Sequence, residues 1–400
     1  MTLKQSKSIF DEAYEINPIP YFNYFREYAP IHYEESVNAY FVSNYEDVKF
    51  ILKSDGIFTT KTLAERAEPV MKDRVLAQMT GHEHRSKKKE ILKGMSGKYL
   101  DRLLPTIEKR TNNLIDKYIN EKRIDLVNDF GKIFAVQSSM DLLGIDIRDS
   151  DKIREWHNGI AKFITSFNMS SEDVKYSLSC SDKLEKYLMP LIKERKGIKK
   201  LDLISVLNDY KDEKSQITDS EILALILNIL LAATEPVDKT LAYLFYNLLN
   251  NPNQYQDILD NPSLLKNAII ETLRFNSPVQ LIPRQLSMPY TFRDKKLNVD
   301  DVVICMIGAA NRDPKAYTAP DEFNIYRKSK NNKPFTSYSQ NLSFGFGVHT
   351  CIGATYALIQ LELVVRTLLK RLKNIKLETN VLHERGIYTR GPKSLIISFD

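Results

Sequence analysis

Cysteine, glycine and tryptophan are scarce in this chain, with 3, 14 and 1 among 400 residues. Cys180, Cys305 and Cys351 are too few and too far apart for a disulfide framework, which excludes a small stapled scaffold. In a reducing cytoplasm, a single special cysteine reads as a ligand or a nucleophile. With so little glycine there is no Gly/Ser-rich linker, and neither a low-complexity tract nor a fixed-period repeat is present. The N-terminal stretch has no apolar core of signal-peptide length. The longest apolar run, Ile222 to Ala233, is broken by Asn228 and is too short to span a bilayer. A soluble, cytoplasmic protein without a membrane segment is expected. The net charge is +6, but 57 basic residues are interleaved with 51 acidic ones. The basic runs Arg85 to Lys89 and Lys193 to Lys200 lack the aromatic residues on which single strands stack, so no nucleic acid is expected. A basic face for an acidic protein partner fits better.

What is abundant is helical periodicity. Apolar residues recur at three- and four-residue spacing over roughly 18–28, 45–54, 82–95, 101–120, 131–143, 150–167, 172–195, 219–250, 252–258, 263–276 and 354–373. Strand-like segments are short: Ile31 to Tyr33 and Ala39 to Ser43 as a hairpin around Asn38, then Arg284 to Leu286, Tyr290 to Phe292, Val302 to Met306, Ile375 to Leu377 and Ser394 to Phe399. The fold class is therefore mainly α with small β-sheets. A parallel α/β sheet is excluded, because the middle of the chain offers almost no strands.

The segment Phe344-Gly345-Phe346-Gly347-Val348-His349-Thr350-Cys351-Ile352-Gly353 carries most of the functional argument. Its glycines allow a tight turn and a close approach to a flat ligand. Ala354 opens a helix, so Cys351 sits at a helix N-terminus, where free amides and the dipole favour a thiolate. A thiolate in that setting suits haem iron as an axial ligand. A buried cysteine in a Gly-rich turn is the bland alternative.

Two motifs upstream agree with the loop, and together they make the chain resemble the bacterial cytochromes P-450 over nearly its whole length. Glu271-Thr272-Leu273-Arg274 is similar to the family's ExxR helix. Phe323 and Arg327 match the segment whose arginine completes a Glu–Arg–Arg network. From the residues alone, Glu271 and Arg274 are only an i,i+3 ion pair. The resemblance gives Glu271, Arg274 and Arg327 a structural role. It implies the family's triangular prism, a single catalytic domain over 1–400 with a small N-terminal β-rich lobe and a larger helical one. Haem b would lie between the oxygen-binding helix and the cysteine-loop helix. Cys351 would bind the iron, and His84, Lys88, Arg284 and His349 the propionates. Phe344, Gly345, Gly353, Ala232 and Ala233 would lie against the ring. Lys88 stands where an arginine is more usual, which loses the bidentate fork but keeps the charge.

The resemblance also places Thr234-Glu235-Pro236 on the oxygen-binding helix, with Glu235 at the acid position and Pro236 where the family has an alcohol. A proline inside a helix removes a donor, clashes with the preceding turn and costs roughly 3 kcal/mol. A kink at Ala232-Ala233 is expected. Proton delivery then runs through Glu235, Thr234, water or the substrate, or the enzyme favours dehydrogenation over simple hydroxylation. Glu235, Thr234 and Pro236 are the candidate catalytic residues.

The pocket is expected to be lined from the loop 59–78, the helix around 228–236, the segment 279–282 and the turn 387–390. Arg66, Asn228, Thr234 and Gln280 are its polar anchors, and Val70, Ala232, Val279, Ile282 and Tyr388 its other contacts. Such a pocket suits a small, mostly aliphatic molecule carrying amides or carbonyls. The Thr-Glu-Pro replacement resembles the Gram-positive branch of the family that oxidises the cyclic dipeptide cyclo(Leu-Leu) to pulcherriminic acid. No GxGxxG follows a strand, so electrons are expected from a separate ferredoxin or flavodoxin and its reductase, docked near Lys87 to Lys89. The competing readings are a cytochrome P-450 for another small apolar substrate, a peroxide-using relative and a haem-binding protein without turnover.

Overall fold

A computed structural model describes residues 7–214, 216–328, 339–379 and 381–400. Its spine is the helix Asp219–Leu249, 31 residues long and buried on nearly every side. Thr218 starts it with a capping box: its hydroxyl accepts from the Glu221 N–H at 3.1 Å, and the Glu221 carboxylate accepts from the Thr218 N–H at 3.3 Å. Helices Lys132–Leu143, Ser171–Glu194, Leu265–Phe275 and Ala354–Arg371 pack around it. A helix that is apolar all round belongs in a core. By length and composition Asp219–Leu249 and Gly347–Arg371 could cross a membrane, but 61% and 44% of their apolar windows are buried within the fold.

Beside the helices lies a five-stranded sheet. Its strands run in the order Ile31–Glu34, Ala39–Val42, Val302–Met306, Leu281–Leu286, Phe58–Thr59. The expected hairpin pairs Ile31 with Val42 and turns through Asn38 in the left-handed region, φ 48°. Alternation splits the sheet's two faces between two small apolar cores. Val42, Val303 and Cys305 face one, and Phe41, Ile304 and Met306 face the other. The helices share a third, much larger core.

Each segment read as a helix forms one, and two differences have physical causes. Residues 59–78, read as a loop, contain the helix Leu63–Met71, which buries Ala67, Val70 and Met71. Leu63, Ala67, Val70 and Met71 keep helical spacing, but Pro69 and the charged residues between them hide it. The strand expected from Arg284 begins earlier, at Leu281, because that edge is buried against Val302–Met306. The central helix is continuous through Pro236. Tertiary packing overrides the local penalty, although the Ala232 carbonyl loses its ordinary i+4 donor.

Candidate active site

The cysteine loop is held by local geometry. Gly345 and Gly347 have φ of 73° and 76°, and a Cβ on Gly347 would lie 2.8 Å from the Leu52 carbonyl oxygen. The Cys351 N–H donates to the Phe344 carbonyl at 2.8 Å, closing the loop just ahead of helix Ala354–Arg371. Of the three cysteines, Cys180 and Cys305 are buried and Cys351 has open surface. Protein still surrounds the Cys351 thiol closely enough for burial to push its pKa up, against the pull of the Gly353 N–H, the Lys88 charge and the Ala354 N–H. The helix-end amides thus act on the sulfur as expected, but burial outweighs them in the protein alone. A bonded metal cation reverses that balance, since coordination deprotonates a thiol.

Next to the loop, four expected residues converge. The His84 and His349 rings lie 4.8 Å apart between centroids. Lys88 reaches from the same helix as His84 to donate to the carbonyls of Val348 and Thr350, at 2.9 and 3.1 Å. Arg284 is only 4% exposed, and its Nη1 donates to the neighbouring Pro283 carbonyl at 2.8 Å. Arg284 Nε and His349 Nδ1 are buried without a partner. Burial, Arg284, His84 and Lys88 push the His349 pKa down to about 3. Burying cationic donors without an anion is costly. A cluster of this kind is built to receive negative charge beside a flat group, and the two carboxylates of a haem fit it.

Behind the loop, Glu271 and Arg274 form the expected pair at 2.8 Å, with both side chains buried. Arg327 Nε lies 3.1 Å from Glu271, and Arg274 also donates to the carbonyls of Asn311, Pro320 and Glu322. The three residues form one connected network.

On the central helix, Ala232 is exposed between half-buried Leu231 and Ala233. Asn228, Ala232 and Pro236, spaced i, i+4 and i+8, form one incompletely covered stripe of that helix, beside the half-buried Leu231, Glu235 and Lys239. Thr234 and Glu235 point elsewhere, into a cleft of about 430 Å³ shared with His157, Asp238, Lys239 and Thr389. Glu235 accepts from Lys239 Nζ at 2.8 Å and from the Thr389 hydroxyl at 2.9 Å. Burial alone would raise its pKa, but Lys239, His157 and Thr389 hold it below the usual carboxylate value. Thr234 hydrogen-bonds with His157, whose pKa burial lowers against the pull of Glu235. Sequence reading did not single out His157. Its only signal was a histidine at a buried position of an amphipathic helix.

The substrate candidates divide. Val279 bridges to Thr389, and the Gln280 N–H donates to the Tyr388 carbonyl at 2.9 Å, so two of the expected stretches meet. Ile282 approaches the cysteine loop, 3.9 Å from the place a Gly345 Cβ would take. The Gln280 side chain faces the other way, into a separate cavity of about 90 Å³ with Arg312, Glu384 and Arg390. Val70 is fully buried in the main core. Arg66 is held by Ile164, Phe167 and Tyr388.

The sequence matches the family model described as cytochrome P-450 over residues 20–261 and 254–385. The chain belongs to the cytochrome P-450 family. It is 50% identical to the pulcherriminic acid synthase of Bacillus subtilis strain 168, over 98% of each chain. To the mycinamicin IV hydroxylase/epoxidase of Micromonospora griseorubida it is 27% identical, over 89% of this chain and 88% of that one. The crystal structure of CalO2 superposes with a TM-score of 0.87 at 24% identity, covering 99% of both chains, a likeness of fold. Cytochromes P-450 carry haem b on a cysteine thiolate. The loop thiol and the uncompensated cationic cluster beside it are the donor set such a group needs.

One expectation about the surface is corrected. Lys87 is not part of a docking face. It is 1% exposed and bonds Glu83 and Glu221, each at 2.9 Å. Within the run 85–89 the exposed cations are Arg85 and Lys89.

Proposed function

We propose that this cytochrome P-450 converts cyclo(Leu-Leu) to pulcherriminic acid by stepwise aromatisation and N-oxidation. The observation that carries this reading is the 50% identity, over 98% of the chain, to a pulcherriminic acid synthase. Haem b bound at Cys351 supplies the dioxygen chemistry, and the protein supplies placement, dryness and protons. His84, Lys88, Arg284 and His349 hold the propionates. The diketopiperazine lies against Asn228, Ala232 and Pro236, with Val279, Ile282 and Tyr388 closing its apolar sides. An isobutyl-bearing ring suits such walls, and its two amides need few polar partners.

Pro236 offers no hydroxyl, so proton handling falls to the neighbouring groups. Glu235 Oε2, held by Lys239 and Thr389 in the adjoining cleft, is the group that accepts and returns a proton, through water, for a stripe it does not itself face. A Glu235→Gln variant keeps the shape and loses the charge. Its turnover should fall about 100-fold, the lower end of what general acid–base groups contribute. Unchanged turnover removes Glu235 from the reaction.

Electrons come from an acidic ferredoxin or flavodoxin with its reductase, and the chain works in the cytoplasm. Charge reversal at Arg85 and Lys89 should slow reduction at low ionic strength by about tenfold and leave it unaltered at high salt. A salt-independent effect, or none, argues against that face. The substrate reading is tested by titrating haem-loaded protein with cyclo(Leu-Leu). A saturable Soret shift supports it. A thiolate-type band that ignores the ligand withdraws cyclo(Leu-Leu).

A further inference from the structure

Arg66 lies within helix Leu63–Met71 and reaches across three other segments. Its Nη1 donates to the Ile164 carbonyl at 2.9 Å, in the last turn of helix Ser150–Thr165. Its guanidinium carbon is 4.7 Å from the centroid of the Phe167 ring and 5.2 Å from that of Tyr388. The two rings are themselves 6.4 Å apart and inclined at 56°. Phe167 also meets Phe10 edge-on at 5.3 Å, which brings in the N-terminal segment. Burial lowers the Arg66 pKa, with the Tyr388 hydroxyl acting the other way, and no carboxylate pairs with it among the described residues.

A partly buried guanidinium without an anion is held here by ring faces and one carbonyl. A planar cation stacks on such faces, and can leave them without stranding an opposite charge. The segments it joins also meet directly, through the Phe167–Tyr388 ring contact. Helix Ser150–Thr165 ends at Ser166, where the backbone becomes extended. The turn 386–389 is anchored at its base, by Arg390 to Glu384 at 2.9 Å and by Thr389 to Val279, rather than at the Tyr388 ring.

We propose that Arg66 is the clasp of the substrate chamber: it ties helix Leu63–Met71, the segment 164–167 and Tyr388 into one cover, and ligand enters and leaves when its guanidinium slips from the two rings. This rests on the reading that the diketopiperazine lies beneath Tyr388. Arg66 is then a positioning residue and not a polar anchor for the substrate.

The test separates the two roles by kinetics. Association and dissociation of cyclo(Leu-Leu) are followed at the Soret band by stopped flow in wild type, Arg66→Lys and Arg66→Ala. A clasp sets a barrier common to both directions, so both rates should rise by about tenfold in Arg66→Ala while Kd moves by less than about threefold. Arg66→Lys, which keeps the charge but loses the fork, should fall between. In ligand-free protein, amide hydrogen exchange of 63–71, 164–168 and 386–389 should quicken together. A weakened Kd at unchanged association rate overturns the clasp, because it makes Arg66 a direct contact. Unaltered exchange in those segments overturns it as well. If wild type fails to bind cyclo(Leu-Leu), the substrate reading falls, and the exchange measurement still decides the clasp.

Discussion

An Arg274→Leu variant is expected to lose about 3–5 kcal/mol of stability, the cost of stranding one member of a buried ion pair. Arg274 is 2% exposed and Glu271 3%. Without the arginine, Glu271 keeps, among the described residues, Arg327 and the Asn324 N–H, and the carbonyls of Asn311, Pro320 and Glu322 each lose a donor. Those carbonyls belong to the stretch that backs the cysteine loop, so the damage spreads from the pair to the site. Against a total of about 5–15 kcal/mol for a folded protein, the loss is large. Chemical denaturation should show it directly, and haem should be retained poorly. Arg327→Leu should cost less, because Arg327 is 16% exposed against 2% for Arg274. An Arg274→Leu protein within about 1 kcal/mol of wild type would mean that the network is ornamental, contrary to the cost assigned to buried unpaired charge.

Lys87→Met should be the next most damaging change, at about 2–4 kcal/mol by the same argument. Lys87 fastens helix Gly81–Lys93 to the start of the central helix through Glu221, and Arg74 completes the group with contacts to Glu83 and Glu221. The same helix carries His84 and Lys88, so loosening it should also weaken haem retention. The pH dependence has a definite sign. Burial would raise the Glu83 pKa, but Lys87 and Arg74 bring it below 4.5. Its stabilising contribution is therefore complete above the unfolded value and is lost as pH falls through the lower folded value. For Lys87, burial lowers the pKa but Glu83 and Glu221 raise it above 10.5. That contribution is present below the unfolded value and disappears only as pH rises through the folded one. Wild type should accordingly lose more stability than Lys87→Met on going from pH 6 to pH 3. Parallel pH profiles would dissociate Lys87 from the ion cluster.

These two groups also show where the sequence is legible. Glu271 and Arg274 are three residues apart and the cysteine loop is contiguous, so their pattern can be read without a fold. Long helices are equally plain, since their spacing is local. Lys87 was misread as surface because its burial depends on Glu221, 134 positions away. His157 and Thr234, 77 apart, were linked by nothing local. Helix Leu63–Met71 was hidden by Pro69, and the unbroken passage through Pro236 is decided by packing around the central helix, not by propensity. The Gln280 side chain turns into the cavity with Arg312, Glu384 and Arg390, contacts that lie far away in the sequence. Local chemistry was visible; the direction in which a side chain points across a tertiary contact was not.

The most direct test is turnover. Haem-loaded protein would be given cyclo(Leu-Leu), dioxygen, NADPH and a ferredoxin or flavodoxin with its reductase, and the products read by mass. Pulcherriminic acid should appear with wild type and be absent with Cys351→Ala. Unchanged cyclo(Leu-Leu), from a protein that shows a thiolate-type spectrum and accepts electrons, would contradict the proposed function.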